Sequence, residues 1–456
     1  METARSGRVL GVPRAIPVGY PPFGQAVGQL SICWDTCVDT QVSAEEAHGR
    51  AADARPARCS YPARTSGATG ALRFWSPYRS ESPVSITSSV PSPTSVGNPV
   101  DEEWLRERVD QALCDFVGDQ ERTLLAISPQ LSPVCTTVRD FVTGGGKRLR
   151  AAFCYWGWRG AGGSPDEPGA VAAAAALELL QASALVHDDL MDRSDTRRGL
   201  PSVHRRFEAL HDAEGWRGDA GQYGGATAIL VGDLLLVWCD ALFGDSGLPR
   251  DAVRRAKPLF DLMRTEVMAG QYLDMLEPAA AWTEPTPPVE RARTVIHYKS
   301  AKYTVQRPLQ IGGLLADAPA ELVAAYESFG LPLGEAFQLR DDLLGVYGDP
   351  AVTGKPAGDD LREGKRTLLI AEASAALGAA DARFLDDHLG APGLDATGVE
   401  RLRDLVTRSG APARVEARIA ALRADALTAL AAAPIADPTA RAVLHRLTDA
   451  ATARRH

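Results

Sequence analysis

Apolar residues recur with helical spacing from about Asp101 to the end of this chain, and Gly and Pro mark the breaks. Helix-length segments are predicted at 101–117, 131–142, 169–191, 225–243, 251–276, 289–315, 319–347 and 365–387. Three shorter ones follow near 398–408, 412–432 and 437–452. Breaks fall at Gly160–Pro168, Glu214–Gly225, Glu277–Pro288 and Gly348–Gly364. Strand-like alternation is nearly absent. The pattern therefore predicts an all-α fold, one large helical bundle in which inward-facing polar residues on facing helices build a site. Residues 1–97 lack this rhythm. They are rich in Gly, Pro, Ser and Arg and end in a Ser/Pro/Val/Thr stretch, Ser80 to Ser95, so they read as a disordered N-terminal extension to the helical domain, 98–456. A targeting peptide or an upstream start codon are the other readings, although acidic residues such as Asp35 and Glu45 interrupt the segment and it has no secretory apolar core.

Composition narrows the class. With 456 residues, 45% of them hydrophobic, the chain has ample material for a large core. A net charge of −9 argues against broad nucleic-acid binding. No uninterrupted apolar run reaches the roughly 18–20 residues of a bilayer span. The stretch Ala170 to Leu180 carries Glu178 and then meets Gln181 and His187, so it reads as a buried helix and no transmembrane segment is expected. Seven cysteines without a CxxC pair read as free thiols in a reducing, cytoplasmic compartment.

Two acidic clusters change the picture. Asp188-Asp189-Leu190-Met191-Asp192 follows the apolar stretch 172–186, and Asp341-Asp342 follows Leu331 to Leu339. Positions i and i+4 of a helix share a face, so Asp188 and Asp192 point the same way. Like charges at that spacing cost an isolated helix roughly 0.2–0.5 kcal/mol. Mg²⁺ would offset that cost, since it takes one or two carboxylates and bridges them to phosphate oxygens. Arg193, Arg197 and Arg198 could equally neutralise the first cluster as ordinary surface pairs.

Lysine is scarce: Lys147, Lys257, Lys299, Lys302, Lys355 and Lys365 are the whole complement, and arginine supplies the remaining positive charge. Lys147 ends the run Gly144-Gly145-Gly146, where backbone without side chains lets a ligand approach and Lys147, Arg148 and Arg150 offer phosphate contacts. Lys355 and Lys365 lie beyond the second aspartate pair, each preceded by a glycine.

These motifs strongly resemble those of the trans-isoprenyl diphosphate synthases, especially the geranylgeranyl diphosphate synthase-like branch, over Val100 to the C-terminus. Leu185 to Gly199, with its trailing arginines, is similar to the family's first aspartate-rich motif, and Ala336 to Gly345 to its second. The resemblance implies an isoprenoid-synthase bundle with a central diphosphate and metal cavity, working as a homodimer. It implies Mg²⁺, three ions with substrate bound, on Asp188, Asp192 and Asp341, with Asp189 and Asp342 in support. Arg197, Lys299, Lys355 and Lys365 are then expected to hold an allylic diphosphate, and Lys147, Arg150, Gln181 and Arg198 isopentenyl diphosphate. Ser300, Phe337 and Gln338 match positions beside the reacting carbons, and Gln271 and Asp274 match a cavity-lining element for which packing alone is the alternative reading. The chemistry implied is ionisation of the allylic C–O bond, condensation with isopentenyl diphosphate and loss of a proton. One departure stands out: the second motif ends in Gly345 where many relatives carry a third aspartate.

Product length in this family is set beneath the first motif. Ser183 and Ala184, one turn deeper than Asp188, are small where short-chain enzymes are often stoppered by aromatic rings. Leu180 and Leu177 come next, Leu177 about 16 Å from Asp188 at 1.5 Å rise per residue, with Leu234, Val237 and Trp238 available for a floor. A C20 product, geranylgeranyl diphosphate, or a longer one is expected. A class I terpene cyclase would need a second Asn/Asp-x-x-Ser/Thr-x-x-x-Glu metal motif, and none follows. A histidine–aspartate phosphohydrolase lacks an upstream histidine partner between His48 and His187. A non-catalytic partner subunit should have lost motif charges, whereas the first cluster is whole.

Overall fold

Alanine decides where the centre of the bundle lies. In the helix Pro168–Met191, Ala173 to Ala176 are fully buried, and side chains this small let neighbouring helices come close on several sides. Pro168 at the first position and the Glu167 carboxylate, which accepts the Gly169 N–H, set where it begins. This is a computed structural model, and it describes residues 99–280, 286–348 and 358–452, all within one compact unit, Ser89–His456. The expectation of a disordered extension, 1–97, falls outside the described residues.

The order is α1 (Leu105–Ile127), α2 (Ser132–Thr143), α3 (Leu149–Gly160), α4 (Pro168–Met191), a two-stranded hairpin, α5 (Val203–Ala213), α6 (Ala220–Gly244) and α7 (Arg250–Ala279). Then come α8 (Pro288–Val295), a π-helical stretch (Ile296–Gln306), α9 (Arg307–Leu315) and α10 (Ala320–Tyr347). The C-terminal part holds α11 (Asp359–Glu363), α12 (Leu368–Ala376), α13 (Ala379–His388), α14 (Ala396–Arg408), α15 (Ala411–Ala432) and α16 (Pro438–Thr452). In the hairpin, β1 (Thr196–Arg197) pairs antiparallel with β2 (Leu200–Pro201), Arg197 opposite Leu200.

Helix α4 packs on α6, α3 and α1, while α10 packs on α15 and the π-helical stretch. One apolar core joins α1, α3, α4, α6 and α7 with α9 and α16; a second lies among α10, α12, α14 and α15. The backbones of α3 and α9 touch directly. A Cβ on Gly312 would collide with the Cys154 carbonyl, and one on Gly157 with that of Leu309.

The predicted helices match these elements closely, with instructive exceptions. Helix α3 has no amphipathic stripe because Ala151 to Gly157 are buried on all sides, and α5 is short and highly charged; neither was predicted. The segment 289–315 is continuous but wide-turned in its middle. Pro308 lies just beyond the wide turns and has no N–H to return to the preceding turn. The segment 365–387 breaks at Leu377-Gly378. Two helices, α4 and α6, are long and apolar enough to cross a membrane, contrary to expectation, because each is broken only by isolated polar residues such as Glu178 and Asp233. The apolar window is 78% buried inside the bundle for α4 and 44% for α6.

Glu335, 2% exposed, ties α10 to its neighbours: it accepts from Arg418 of α15 and pairs with His297 of the π-helical stretch at 3.0 Å and Arg293 of α8 at 3.5 Å. Burial alone would raise its carboxyl, but these partners hold it below the ordinary value. Glu335→Ala is expected to cost about 2–4 kcal/mol, since it strands charges that are partly buried. A lowered urea midpoint at unchanged slope would show it. Because the folded carboxyl titrates below the unfolded one, the difference between wild type and variant should be complete above about pH 5 and vanish as the pH falls through the folded value.

Candidate active site

The first aspartate cluster sits where an α-helix least tolerates negative charge. The C-terminus of α4 carries the negative end of the helix dipole and also Asp188, Asp189 and the capping Asp192. The chain answers by turning back on itself. Arg193 takes a left-handed conformation (φ 56°), and the Ser194 N–H returns to the Asp189 carbonyl at 2.9 Å. The hairpin then reverses through Arg198 and Gly199, both at positive φ (54° and 74°), as a two-residue type I′ turn requires.

That reversal delivers Arg197 to the cluster. Its Nε donates to Asp189 at 2.8 Å, its Nη2 bonds the same carboxylate, and it lies 3.8 Å from Asp188. Asp189 is fully buried beneath Arg197, so its carboxylate holds the arginine and does not face the cavity as a metal ligand would. The sequence reading placed Asp189 with the metal set; its position 100° round the helix from Asp188 is the reason it points elsewhere.

Asp188 faces a cavity of 560 Å³, whose lining includes Lys147, Gln181, Arg197, Asp274, Lys299, Ser300, Gln338, Asp341, Asp342, Asp360 and Lys365. Gln271 of α7 donates to Asp188 at 3.0 Å, while Lys299 Nζ bridges Asp274 at 2.6 Å and Asp188 at 3.5 Å. Gln271 and Asp274 therefore have polar work here beyond packing. Lys299 is brought within reach by Gly270, where a Cβ would collide with the backbone of the π-helical stretch. Burial opposes the Asp188 charge, yet Lys299, Lys365, Arg197 and the Gln271 bond together hold its carboxyl below the ordinary value. Burial and the neighbouring Asp188 charge push Asp192 up to about 6, despite Lys365 at 3.7 Å. Burial would also discharge Lys299 and Lys365, but the carboxylates around them raise both.

Across the cavity, α10 supplies Asp341 and Asp342. Asp342 is 4% exposed; it accepts from Gln338 Nε2 at 2.8 Å on one oxygen, while the other oxygen has no hydrogen-bond partner. Burial, reinforced by Asp360, Asp341 and Asp274, pushes its carboxyl up to about 8. No three Asp, Glu, His or Cys side chains among the described residues converge into a ready-made cage. That donor set, with Asp188 and Asp192 on one side and, on the other, Asp341 next to Asp342 and its orphaned carboxylate oxygen, fits a hard divalent cation completed by water and phosphate.

The glycine-rich loop forms a second basic patch. Gly145 (φ 87°) and Arg148 (φ 48°) turn it, and the Gly145 and Gly146 carbonyls accept from Arg198 and Arg106. Arg148, 4% exposed, anchors the loop through Asp110 at 2.8 Å, the Val142 carbonyl at 2.8 Å and Glu178 at 3.6 Å. Lys147 is left facing the cavity with Gln181. Arg150 is engaged differently from expectation: it donates to Thr304 at 2.8 Å and stacks over Tyr303, and it does not line the cavity. Phe337 packs against the core. Ser183, Leu180 and Leu177 are buried below Asp188 with Ala184 half-buried, and none of the four lines the cavity. Trp238 is buried against Phe116, but Val237 is 64% exposed, because the α6 face it occupies turns outward, and it cannot be a floor within this chain. Lys355 lies outside the described residues. Sequence reading missed Asp359, Asp360 and Glu363, whose one signal was a third Asp-Asp pair just before Lys365.

Comparison with known proteins bears directly on this arrangement. The polyprenyl synthetase family matches residues 132–406. A geranylfarnesyl diphosphate synthase of Aeropyrum pernix is 32% identical over 313 residues, 68% of this chain and 90% of that protein. A geranylgeranyl diphosphate synthase of Mycobacterium tuberculosis is 34% identical over 286 residues, 61% of this chain and 75% of that protein. Among solved structures, a geranylgeranyl pyrophosphate synthase from Corynebacterium glutamicum, complexed with isoprenyl diphosphate and magnesium, superposes with a TM-score of 0.73 at 39% identity, covering 77% of this chain and 99% of that one. The family match spans more than half of the chain and takes in both acidic clusters and Lys365, and the chain belongs to the polyprenyl synthetase family, the trans-isoprenyl diphosphate synthases, which are prenyltransferases acting on isoprenyl diphosphates.

Proposed function

We propose that this enzyme condenses isopentenyl diphosphate head-to-tail with an allylic diphosphate and makes geranylgeranyl diphosphate, a C20 product. The observation that carries the reading is the shared cavity, where Asp188, Arg197 and Lys299 meet Asp341, Asp342 and Lys365, with Lys147 and Gln181 at one side. Asp188, Asp192 and Asp341 would hold Mg²⁺, three ions with substrate bound, and the metal when bound adds positive charge beside the departing diphosphate. Asp189 and Asp342 support those carboxylates from behind.

The residues of the chain divide the remaining work. Arg197, Lys299 and Lys365 face the allylic diphosphate, a role that Lys355 shares only by resemblance to the family's motif, and fixed positive charge there stabilises the electron pair it takes as the C–O bond breaks. Lys147, Gln181 and Arg198, with Arg150 behind them, receive the second diphosphate. The alkene of isopentenyl diphosphate then attacks the allylic carbon, and a proton leaves to the released diphosphate. Gln338 spends its amide nitrogen on Asp342, so its carbonyl oxygen is what it offers a neighbouring cation, as does the Ser300 hydroxyl. Phe337 lies on the same turn of α10 and closes the wall behind them.

Three further readings follow. Small Ser183 and Ala184 beneath Asp188, with Leu180 and Leu177 deeper, support a tail of C20 length. A second copy of the chain is the partner that best covers the exposed apolar residues Ile229, Leu230 and Val237 of α6 and Met268, Tyr272 and Met275 of α7. The free thiols Cys114, Cys135, Cys154 and Cys239 support a cytoplasmic location.

Three measurements test these roles. Asp188→Asn should lower turnover of isopentenyl diphosphate with any allylic primer by more than about 10³-fold while circular dichroism stays unchanged; retained turnover refutes the metal assignment. Ser183→Phe and Ala184→Phe should each shift the product below C20 by chromatography, and an unchanged product from both would show that the tail runs elsewhere. Sedimentation equilibrium should give twice the 48.5 kDa of the chain, and Leu230→Asp should return it to a monomer.

A further inference from the structure

Within the apolar length of α4, residues 168–186, Glu178 is the one charged side chain, and it is 7% exposed. A carboxylate buried this far needs partners. Its two oxygens reach different groups. Oε1 accepts the N–H of Ala151 at 3.2 Å, and Oε2 lies 3.6 Å from Arg148 Nη1. Ala151 is the third residue of α3, whose first N–H groups have no partner within the helix. Glu178 therefore caps α3 from a neighbouring helix, and its negative charge suits that end of the helix dipole.

The glycine-rich loop hangs on the same point. Arg148, the residue before α3, is held at positive φ and is 4% exposed. Gly146 sits between two guanidinium groups: a Cβ there would be 3.4 Å from Arg198 Nη2 and 3.5 Å from Arg148 Nη1. Burial and the Arg148 charge both lower Arg198, and the Glu178 carboxylate opposes them. Asp110 also pairs with Arg148, but from α1, which carries no residue of the cavity lining. Glu178 belongs to the helix that carries Gln181 and Asp188, and Gln181 lines the cavity with Lys147. Residues three apart, such as Glu178 and Gln181, are neighbours on a helix surface.

We propose that Glu178 is the positioning residue of the isopentenyl diphosphate side: by tying α3 and the glycine-rich loop to α4, it fixes where Lys147 and Arg198 stand relative to Gln181. This rests on the proposed function. Glu178 does not itself line the cavity. Asp188, on the allylic side, comes ten residues later on the same helix, about 15 Å away at 1.5 Å per residue. One rigid helix then sets the spacing between the two diphosphates, and Glu178 is the point at which the second is referred to it.

The test is steady-state kinetics of the full chain, with isopentenyl diphosphate and a C10 allylic diphosphate varied separately at saturating Mg²⁺. Glu178→Gln keeps an oxygen for the Ala151 N–H and turns an amide toward Arg148. It should raise the KM for isopentenyl diphosphate about 10-fold, while the KM for the primer stays within about twofold of wild type. Glu178→Asp keeps the charge but withdraws it by one methylene, so it should move the same KM in the same direction. A merely structural Glu178 would raise both KM values together, or lower the melting temperature and leave both unchanged; either result overturns the assignment. So does a KM for isopentenyl diphosphate that falls in Glu178→Gln and keeps its wild-type value in Glu178→Asp, since the carboxylate would then act only by opposing the diphosphate charge. If Glu178→Gln does not fold, the split between the two KM values in Glu178→Asp decides. A wild type that elongates no allylic primer would instead remove the proposed function itself.

Discussion

Carboxylates gathered in a half-buried cavity repel one another, and the protein around this cavity is arranged to offset that repulsion. Water screens charges poorly there, so each aspartate needs a cation within a few ångströms or else gives up its charge. Asp188 keeps its charge because Arg197, Lys299 and Lys365 surround it, whereas the more deeply buried Asp342 is pushed up to about 8. The cations come from different parts of the chain: a hairpin, a π-helical stretch and the loop after α11. Ordering the acidic cluster therefore means ordering elements from residue 188 to residue 365 together.

The supports of the site are built from conformations that cost energy. Arg148, Arg193 and Arg198 all adopt positive φ, which side-chain-bearing residues avoid at a cost of roughly 1–2 kcal/mol each. Each lies at a turn that feeds the cavity: the glycine-rich loop, the end of α4 and the tip of the hairpin. Such residues persist only where their surroundings over-determine them. Arg148 meets that condition through Asp110, the Val142 carbonyl and Glu178.

Much of this was legible before any coordinates. Amphipathic helices such as α2 and the 396–408 helix declare themselves, and the i, i+4 spacing of Asp188 and Asp192 already places both on one face. Helix α3 stayed hidden because complete burial erases the periodicity that marks a surface helix. Spacing also could not say that Asp189 would be consumed by Arg197, since that contact depends on a hairpin tip reversing within two residues. Arg150 was read as a phosphate ligand from its place in the loop, yet Thr304 and Tyr303, 154 positions away for Thr304, claim it instead. Asp360 carried one faint signal, the Asp-Asp pair before Lys365, but its place on the cavity wall depends on how the short helix α11 docks, which linear spacing does not encode.

The π-helical stretch between α8 and α9 has a consequence for how this chain tolerates change. Each wide turn holds more residues than an α-turn, so the segment from Ile296 to Gln306 counts its side chains on a different rhythm from the helices at either end. Loss of a single residue there with the wide pitch kept would swing every side chain on one side of the deletion by about a quarter of a turn around the axis, carrying Lys299 off Asp188 or Arg307 off Glu266. Substitutions along this stretch are local matters. Changes in its length are not, because the wide turns act as the gauge that keeps two faces of one long helix in phase.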